Sequence, residues 1–311
     1  MEKSKVYIIS GPTAVGKSAV AMSLAKKLNG EIVNCDSVQL YKHMDIGSAK
    51  PAKSDMASVP HHLFSIVLPD FKMTAATYQQ IALATIDDIL SRGKTPIVVG
   101  GTGLYMNAIM YDMDFAGQEL EDEDVQSNRR LELEKMAEKM GNEYMHAYLS
   151  GIDPDSAQRI HPNNIRKVIR AIEAFETGDG IKPLDSCPLN SKYDFELFVL
   201  NMDRKWLYDR INRRVIEMYK QGLFKEVKSL VDMGYSIENS SMKAIGYKEV
   251  LSYLNGELSG PETIKLISKN SRRYAKRQIT WFKRYEFAKW IEIGTEDTVS
   301  DITDSIINMS K

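Results

Sequence analysis

Apolar residues recur along the chain with two different periods, and the order of these patterns predicts the architecture. Short, almost wholly apolar runs are typical of strands that are buried on both faces of a parallel sheet. Four such runs occur, at residues 6–10, 31–35, 96–99 and 196–202. Two segments between them, 19–28 and 75–92, repeat apolar residues at helical spacing. Because strands that alternate with helices build parallel sheets, the predicted fold class is α/β, a parallel sheet flanked by helices.

The middle of the chain has a different pattern. It starts with an acidic loop at 118–124. Helical spacing then recurs in three segments, at 129–140, 144–150 and 165–177. We therefore predict two units, which are an α/β core of residues 1–114 and 190–311 with basic C-terminal helices, and a mainly helical insertion of residues 115–189.

A glycine-rich stretch between the first strand and the first helix reads Gly-Pro-Thr-Ala-Val-Gly-Lys-Ser. This spacing, in a strand–loop–helix context, predicts a phosphate-binding loop and places the chain among the P-loop proteins. The glycines let the backbone amides face phosphate oxygens, Lys17 adds a charge, and Ser18 offers a hydroxyl to Mg²⁺. The predicted diphosphate site consists of Gly11, Pro12, Thr13, Ala14, Val15, Gly16, Lys17 and Ser18. The motif alone does not decide whether the ligand is a nucleotide.

Two polar residues follow predicted strands. Asp36 comes directly after the strand at 31–35, and Thr102 lies in a Gly-Gly-Thr-Gly turn after the strand at 96–99. The carboxyl ends of parallel strands open onto one crevice, so we expect both side chains beside the phosphate loop. For Thr102 we predict a substrate contact. For Asp36 three roles stay open, namely general base, Mg²⁺ ligand and helix N-cap.

Arginines follow the last of the four apolar runs. Arg204 stands at the end of that strand and is expected to point into the crevice. Arg210 lies nearly two helical turns further on and reaches the same anion if the helix crosses the site. The alternative is surface pairing with neighbouring acids, which are Asp203, Asp209 and Glu217.

Charge changes the picture once it is resolved along the chain. The formal net charge is only −1, yet residues 112–158 carry 13 acids against 4 bases, and residues 201–290 carry 19 bases against 10 acids. On a predicted helix at 262–285, Arg and Lys interleave with Tyr, Trp and Phe, which suits phosphate contacts and base stacking. The basic region is therefore a candidate surface for a polyanion, and an ordinary solvated helix face is the alternative.

The cysteines, the histidines and the lengths of the apolar runs limit the class of protein. The two cysteines, Cys35 and Cys187, lack the spacing of a zinc site or a disulfide framework. The adjacent His61 and His62 would point to opposite faces of an extended segment, which disfavours a shared metal ion. The N-terminus enters a strand directly, and no apolar run reaches membrane length. We therefore expect a cytoplasmic protein without membrane contact, and a monomer.

Eight sequence blocks, in this order, make the chain resemble the bacterial tRNA dimethylallyltransferases, also called tRNA isopentenyltransferases. The blocks are GPTAVGKS at 11–18, DSVQLYKHMDIGSAKP at 36–51, HHL at 61–63, GGTGLY at 100–105, RIHPNNIRKVIRAIE at 159–173, DR followed by LYDRINRR within 203–214, AIGYKE at 244–249 and RRYAKRQITWF at 272–282. They span nearly the whole chain, and the ordered set is much more specific than a phosphate loop. Asn164 stands where Asp is usual, and we expect it to keep the helix cap.

The resemblance implies transfer of a dimethylallyl group from dimethylallyl diphosphate to N6 of adenosine 37, beside the tRNA anticodon, with release of pyrophosphate. The phosphate loop would hold the diphosphate, with Mg²⁺ on Ser18 as cofactor. Asp36 would be the general base, and Thr102 would help to hold the amine. The cations that would stabilise the leaving pyrophosphate are Lys17, Arg204 and Arg210.

The resemblance also implies a set of tRNA contacts, with the helical insertion closing on the anticodon arm. On the core and its C-terminal helix these residues are Asp36, Ser37, Val38, Gln39, Thr102, Arg273 and Arg277. On the insertion they are Arg130, Arg159, Ile160, His161, Pro162 and Asn163.

Three other functions fit parts of the sequence. A small-molecule or nucleoside kinase would use the same loop and an Asp after the second strand, but it leaves the basic helix without a role. An adenylate dimethylallyltransferase would modify free AMP, and the long basic C-terminal region argues against it. A non-catalytic RNA-binding NTPase would bind RNA without chemistry.

Overall fold

The structure is a computed structural model that describes residues 3–113, 123–178, 180 and 186–310. The chain divides into two compact units, one of Met1–Met110 with Asn190–Lys311 and the other of Tyr111–Leu189. The predicted acidic loop is described only in part, since its residues 118–122 lie outside these ranges and its last two residues belong to a helix.

A single parallel sheet forms the centre of the first unit. Its strands are β1 (Ser4–Ser10), β2 (Gly30–Cys35), β3 (His61–His62), β4 (Thr95–Gly100), β5 (Tyr193–Met202) and β6 (Lys289–Ile293). They lie in the order β3-β2-β4-β1-β5-β6, and all the paired strands run parallel. The predicted α/β fold with a parallel sheet is confirmed. The four apolar runs are apolar because these inner strands are covered on both faces.

The two edge strands escape the sequence pattern. β3 has only two residues, which pair with Ile32 and Val33 of β2. A segment that short has no readable period. In β6 only Ile291 is buried, because an edge strand has one neighbour and leaves part of its surface in water.

Helices cover the sheet and build a helical C-terminal region. They are α1 (Lys17–Leu28), α2 (Lys53–Ser58), α3 (Ala75–Ser91), α4 (Gly103–Met110), α9 (Arg204–Gln221), α10 (Leu223–Asp232), α11 (Tyr247–Leu254), α12 (Gly260–Phe282) and α13 (Val299–Met309). α12 begins at a capping box, in which the Ser259 hydroxyl and the Glu262 carboxylate each bind the other's backbone amide. Among the described residues, no helix combines the length and the apolar character that crossing a membrane requires.

The second unit is helical and has its own core. It contains α5 (Glu123–Met140), α6 (Asn142–Ile152), α7 (Pro154–Arg159) and α8 (Ile165–Glu176). Leu133, Met145 and Ile172 are among the side chains that pack at its centre with no exposed surface. α7 was not predicted, although its capping Asp153 is followed by a proline, a common helix start. Asn164 occupies the N-cap position of α8 without a side-chain hydrogen bond, so the expected cap is absent.

Candidate active site

The phosphate loop joins β1 to α1 and turns at left-handed residues. The φ angle is 139° at Gly11, 67° at Ala14 and 111° at Gly16. A Cβ on Gly11 would lie 2.4 Å from the carbonyl oxygen of Leu200 on β5, so no larger residue fits there. Val15 is buried in the core, and only its backbone is left for a ligand. The loop therefore offers mainly backbone amides at the N-terminus of α1, as anion sites do.

Two helices hold this loop. Gln278 of α12 accepts a hydrogen bond from the Thr13 amide at 2.8 Å and donates one to the carbonyl oxygen of Gly101 at 3.0 Å. From α9, the Nε of Arg210 donates to the carbonyl oxygen of Ala14 at 2.9 Å. The Thr13 amide therefore already has a protein partner, whereas the sequence predicts that the loop amides face phosphate oxygens.

Lys17 folds back onto the loop. Its Nζ donates to the carbonyl oxygens of Gly11 at 3.0 Å and Pro12 at 2.9 Å. Burial lowers the pKa of the Lys17 ammonium to about 7, with a further decrease from Arg214 and an opposing effect of Asp36. A bound diphosphate would favour the charged form of this ammonium, because it brings negative charge next to it.

Three arginines of α9 line the cavity beside the loop, namely Arg210, Arg213 and Arg214. Burial lowers the pKa of the Arg214 guanidinium while Asp36 raises it; an arginine keeps its charge in proteins all the same. Arg204 is not one of the lining residues. Its guanidinium lies 5.1 Å from the ring centroid of Tyr208, one turn along the helix. Of the two predicted arginines, the structure brings Arg210 to the loop and leaves Arg204 outside the cavity.

Asp36 lies at the end of β2 and lines the cavity. Its Oδ1 accepts the amides of Val38 at 2.9 Å and Gln39 at 3.4 Å, so it caps the turn that follows. Within the described residues no hydrogen bond reaches its Oδ2. The capping role and a chemical role are therefore compatible, because they use different oxygens of one carboxylate.

Thr102 belongs to a small hydroxyl cluster next to this carboxylate. Its Oγ1 accepts the Ser37 amide at 3.0 Å, and the Ser37 hydroxyl lies 3.4 Å away. Tyr274 lies next to Thr102, and burial, reinforced by Asp36, raises the pKa of the Tyr274 hydroxyl. Tyr274 lines the cavity, whereas Thr102 itself is not among the lining residues.

These groups share one cavity of about 460 Å³, a volume typical of a small-molecule site. It is lined by Thr13, Ala14, Gly16, Lys17, Ser18, Ala19, Asp36, Gln39, Ser48, Ala49, Val99, Gly100, Arg210, Arg213, Arg214, Tyr274 and Gln278. The cavity thus brings cations and loop amides together with one carboxylate. Such a site can bind a phosphorylated compound and accept a proton from a second reactant.

Sequence reasoning missed two roles on α12. The sequence predicts base stacking for the Tyr, Trp and Phe residues of this helix, Tyr274 among them, and indicates no role for Gln278. Their spacing of four residues puts them on one helix face, and a glutamine on a face otherwise packed by Ala275 and Phe282 was the available signal. The Gln278 amide packs directly on the backbone of Gly101, where a Cβ would lie 2.2 Å from its Nε2.

The predicted tRNA-contacting arginines of α12 lie on its exposed side. Arg273 and Arg277 are exposed, and the Arg277 guanidinium lies 5.5 Å from the ring centroid of Tyr274. Further exposed cations share this helix, at Lys265, Lys269 and Lys276. The aromatic residues expected to stack on bases are partly core, since Phe282 and Tyr285 are buried.

The other predicted tRNA contacts lie in the second unit. Arg130 on α5 is 3.3 Å from a glutamate four residues along the same helix. Arg159 ends α7, and its Nε donates to a backbone carbonyl of that helix at 3.0 Å. His161 accepts the Asn163 amide at its Nδ1, 3.2 Å away, within a largely exposed turn before α8.

The described residues contain no cluster of three or more His, Cys, Asp or Glu side chains arranged to hold a metal ion. His62 instead contacts Glu31 at 2.7 Å. The exposed Ser18 hydroxyl, in a cavity that fits a diphosphate, suits Mg²⁺, which takes few protein ligands when phosphate oxygens supply the others. The residues present therefore fit a magnesium ion.

Comparisons with known proteins agree along almost the entire chain. A family model described as IPP transferase matches residues 39–285. A tRNA dimethylallyltransferase of Caldanaerobacter subterraneus is 45% identical over 307 residues, which covers 97% of this chain and 96% of the relative.

Two solved structures have the same fold. The full-length tRNA isopentenylpyrophosphate transferase of Bacillus halodurans is 40% identical, with a TM-score of 0.72 and coverage of 99% of this chain and 96% of that one. A eukaryotic dimethylallyltransferase acting on tRNA is 28% identical, with a TM-score of 0.79 and coverage of 93% and 74%. Sequence identity and fold thus extend over both the phosphate loop and the helical unit, and the chain belongs to the IPP transferase family, together with these tRNA dimethylallyltransferases.

Proposed function

We propose that the protein transfers a dimethylallyl group from dimethylallyl diphosphate to N6 of adenosine 37 in tRNA, releasing pyrophosphate. One observation carries this proposal: a single cavity holds a phosphate loop with its cations and, beside them, the carboxylate of Asp36. A leaving diphosphate requires the cations, and an amine nucleophile requires a proton acceptor. Family membership supports the choice of this reaction.

The donor diphosphate binds at the loop. Lys17 exchanges its contacts with the loop carbonyls for phosphate oxygens, and Arg210 and Arg214 add positive charge. As the C1–O bond of the dimethylallyl group breaks, the pyrophosphate gains charge, and these fixed cations stabilise it. Arg204 would have to leave Tyr208 to contribute. Ser18 would hold Mg²⁺, which would supply further neutralisation of the diphosphate charge.

The acceptor amine reacts at the other side of the cavity. N6 forms a bond to C1 of the dimethylallyl group, and Asp36 accepts the proton that N6 loses. Oδ1 of Asp36 stays bonded to the turn, which fixes the carboxylate and directs Oδ2 to the proton. Thr102, held by Ser37, helps to orient the amine.

The tRNA reaches this cavity with its target base out of the stack, because a stacked adenine cannot enter an enclosed site. The exposed cations of α12, Arg273 and Arg277 among them, contact the phosphate backbone. The helical unit contacts the anticodon arm through Arg130 and the turn at 159–163.

Carbon-labelled dimethylallyl diphosphate tests the proposal. The protein and Mg²⁺ are mixed with the labelled donor and either an unmodified tRNA with adenosine 37 or free AMP, and a third reaction contains γ-labelled ATP instead. Label on tRNA alone is the expected result. Label on AMP would instead indicate an adenylate dimethylallyltransferase, phosphate transfer from ATP would indicate a kinase, and RNA binding without any transfer would indicate a non-catalytic binder.

A further inference from the structure

One carboxylate on α10 anchors the loop at 45–50. Glu226 accepts three consecutive backbone amides: Asp45 at 2.9 Å and Ile46 at 2.7 Å at its Oε2, and Gly47 at 3.1 Å at its Oε1. A charged acceptor makes each of these hydrogen bonds stronger than a neutral pair. The start of the loop is therefore tied to a helix that lies about 180 residues further along the chain.

A buried tyrosine completes the anchor. The Tyr247 hydroxyl donates to the Oε1 of Glu226 at 2.8 Å, and its ring is fully buried. Gly47 lies against this ring so closely that a Cβ would be 2.5 Å from a ring carbon. The Glu226 carboxylate thus accepts four hydrogen bonds. At Gly47 the backbone lies so close to the Tyr247 ring that only glycine fits.

The far end of the loop forms part of the cavity wall. Ser48 and Ala49 line the cavity, and their carbonyl oxygens accept hydrogen bonds from the Nε2 of Gln39 at 3.0 and 3.2 Å. Because carbonyl oxygens can only accept, this contact determines which end of the Gln39 amide is the nitrogen. Gln39 also lines the cavity, and within the described part of the chain no donor contacts its Oε1.

We propose that Glu226 is a positioning residue for the acceptor base. It fixes the loop, the loop carbonyls fix the Gln39 amide, and the Oε1 of Gln39 accepts an N–H from the base. Glu226 touches neither substrate, so it acts only through Gln39. This inference rests on the proposed function. It adds, next to Asp36, a second side chain that accepts a hydrogen bond from the base that is to be prenylated.

Steady-state kinetics of Glu226→Gln test the proposal. The Gln amide nitrogen would face backbone donors, so the loop loses part of its anchor. We expect KM for tRNA to rise about 10- to 100-fold, the scale for losing charge-assisted bonds, while the affinity for dimethylallyl diphosphate changes less than about twofold. Tyr247→Phe keeps the three hydrogen bonds from the backbone amides, so it should raise KM for tRNA only about fivefold. Glu217→Gln, the same change at an exposed glutamate of helix α9, is the matched control.

A double mutant separates positioning from general destabilisation. If Glu226 acts through Gln39, then Glu226→Gln adds less than about twofold to the effect of Gln39→Leu. Losses that multiply in the double mutant, or a diphosphate affinity that falls along with the acceptor affinity, would overturn the proposal.

Hydrogen exchange tests the anchor without activity. In Glu226→Gln the amides of residues 45–47 should exchange at least tenfold faster than in the wild type, while the amides of the phosphate loop are unchanged. Unchanged exchange at 45–47 would refute the anchor even in an active enzyme. Failure of the wild type to prenylate tRNA would refute the proposed function instead and leave this measurement intact.

Discussion

The two sides of the cavity are built in different ways. The donor side is a contiguous loop of eight residues, whose shape is set mainly by backbone angles and by two glycines. The acceptor side is assembled from side chains that follow β2 and β4 and from Glu226 on α10, which lie far apart in sequence and hold the backbone by hydrogen bonds. The donor side should therefore tolerate side-chain changes outside the loop, except at the residues of α9 and α12 that contact it, such as Arg210 and Gln278. The acceptor side should respond to changes at more distant residues.

Asp36 provides the largest test of this difference. Asp36→Asn keeps an oxygen that can accept the Val38 amide, so the turn is preserved, but an amide cannot take up the N6 proton. We expect kcat to fall by about 10² to 10⁴, the scale for a general base, with tRNA and diphosphate affinities nearly unchanged. Rapid-quench and equilibrium-binding measurements separate the two effects. A kcat near that of the wild type would remove Asp36 from the chemistry.

The donor side should respond to pH through Lys17. Its pKa of about 7 in the free protein means that half of the ammonium is neutral at pH 7 and most of it above. A diphosphate raises this pKa, so the protein takes up a proton when the diphosphate binds above pH 7. The affinity for dimethylallyl diphosphate should therefore be highest below pH 7 and should fall by about tenfold per pH unit above it. Calorimetry in buffers of different ionisation enthalpy measures the uptake.

Lys17→Met is the control for the pH profile. The variant should bind dimethylallyl diphosphate weakly and with little pH dependence between pH 7 and 9, where a terminal phosphate is already ionised. If the variant retains the slope of the wild type, a group other than Lys17 titrates.

The arginines of α9 sharpen the comparison within one helix. Arg210→Ala removes a cavity cation and its bond to the loop, and should raise the Kd for dimethylallyl diphosphate about tenfold. Arg204→Ala removes a cation that lies on Tyr208, outside the cavity, and should change this Kd less than about twofold. Equal losses in the two variants would mean that Arg204 turns into the site when the ligand binds, as the sequence suggested.

The same contrast explains what the sequence could predict. The parallel sheet, the phosphate loop and the place of Asp36 follow from local runs and strand ends, since each depends on neighbouring residues. The hydrogen bonds of Gln278 to Thr13 and of Tyr247 to Glu226 depend on helix packing across the fold, and no local pattern reports them. The position of Arg214 in the site could have been predicted from the sequence, because Arg214 lies one helical turn after Arg210.

Resemblance to a family supplied what local patterns could not, namely the reaction and its acceptor. It could not distinguish Arg204 from Arg210, because both belong to the same matching block, and only the packing of Tyr208 separates them. The roles on the helical insertion, such as those of Arg130 and His161, stay predictions.

The smallest expected effect concerns the exposed face of α12, which is proposed to bind tRNA but does not line the cavity. Neutralising Arg273 and Arg277 to Gln should lower the slope of log K for tRNA binding against log salt by about 1.4 to 1.8, since each phosphate contact contributes about 0.7 to 0.9. Lys26→Gln with Lys53→Gln, two exposed cations on α1 and α2, is the matched control and should leave the slope unchanged. Prenylation at saturating tRNA should stay close to that of the wild type, because neither arginine lines the cavity. An unchanged slope in the Arg273 and Arg277 variant would mean that the tRNA backbone docks elsewhere, and the acceptor side of the cavity would then be its only proposed contact on the core.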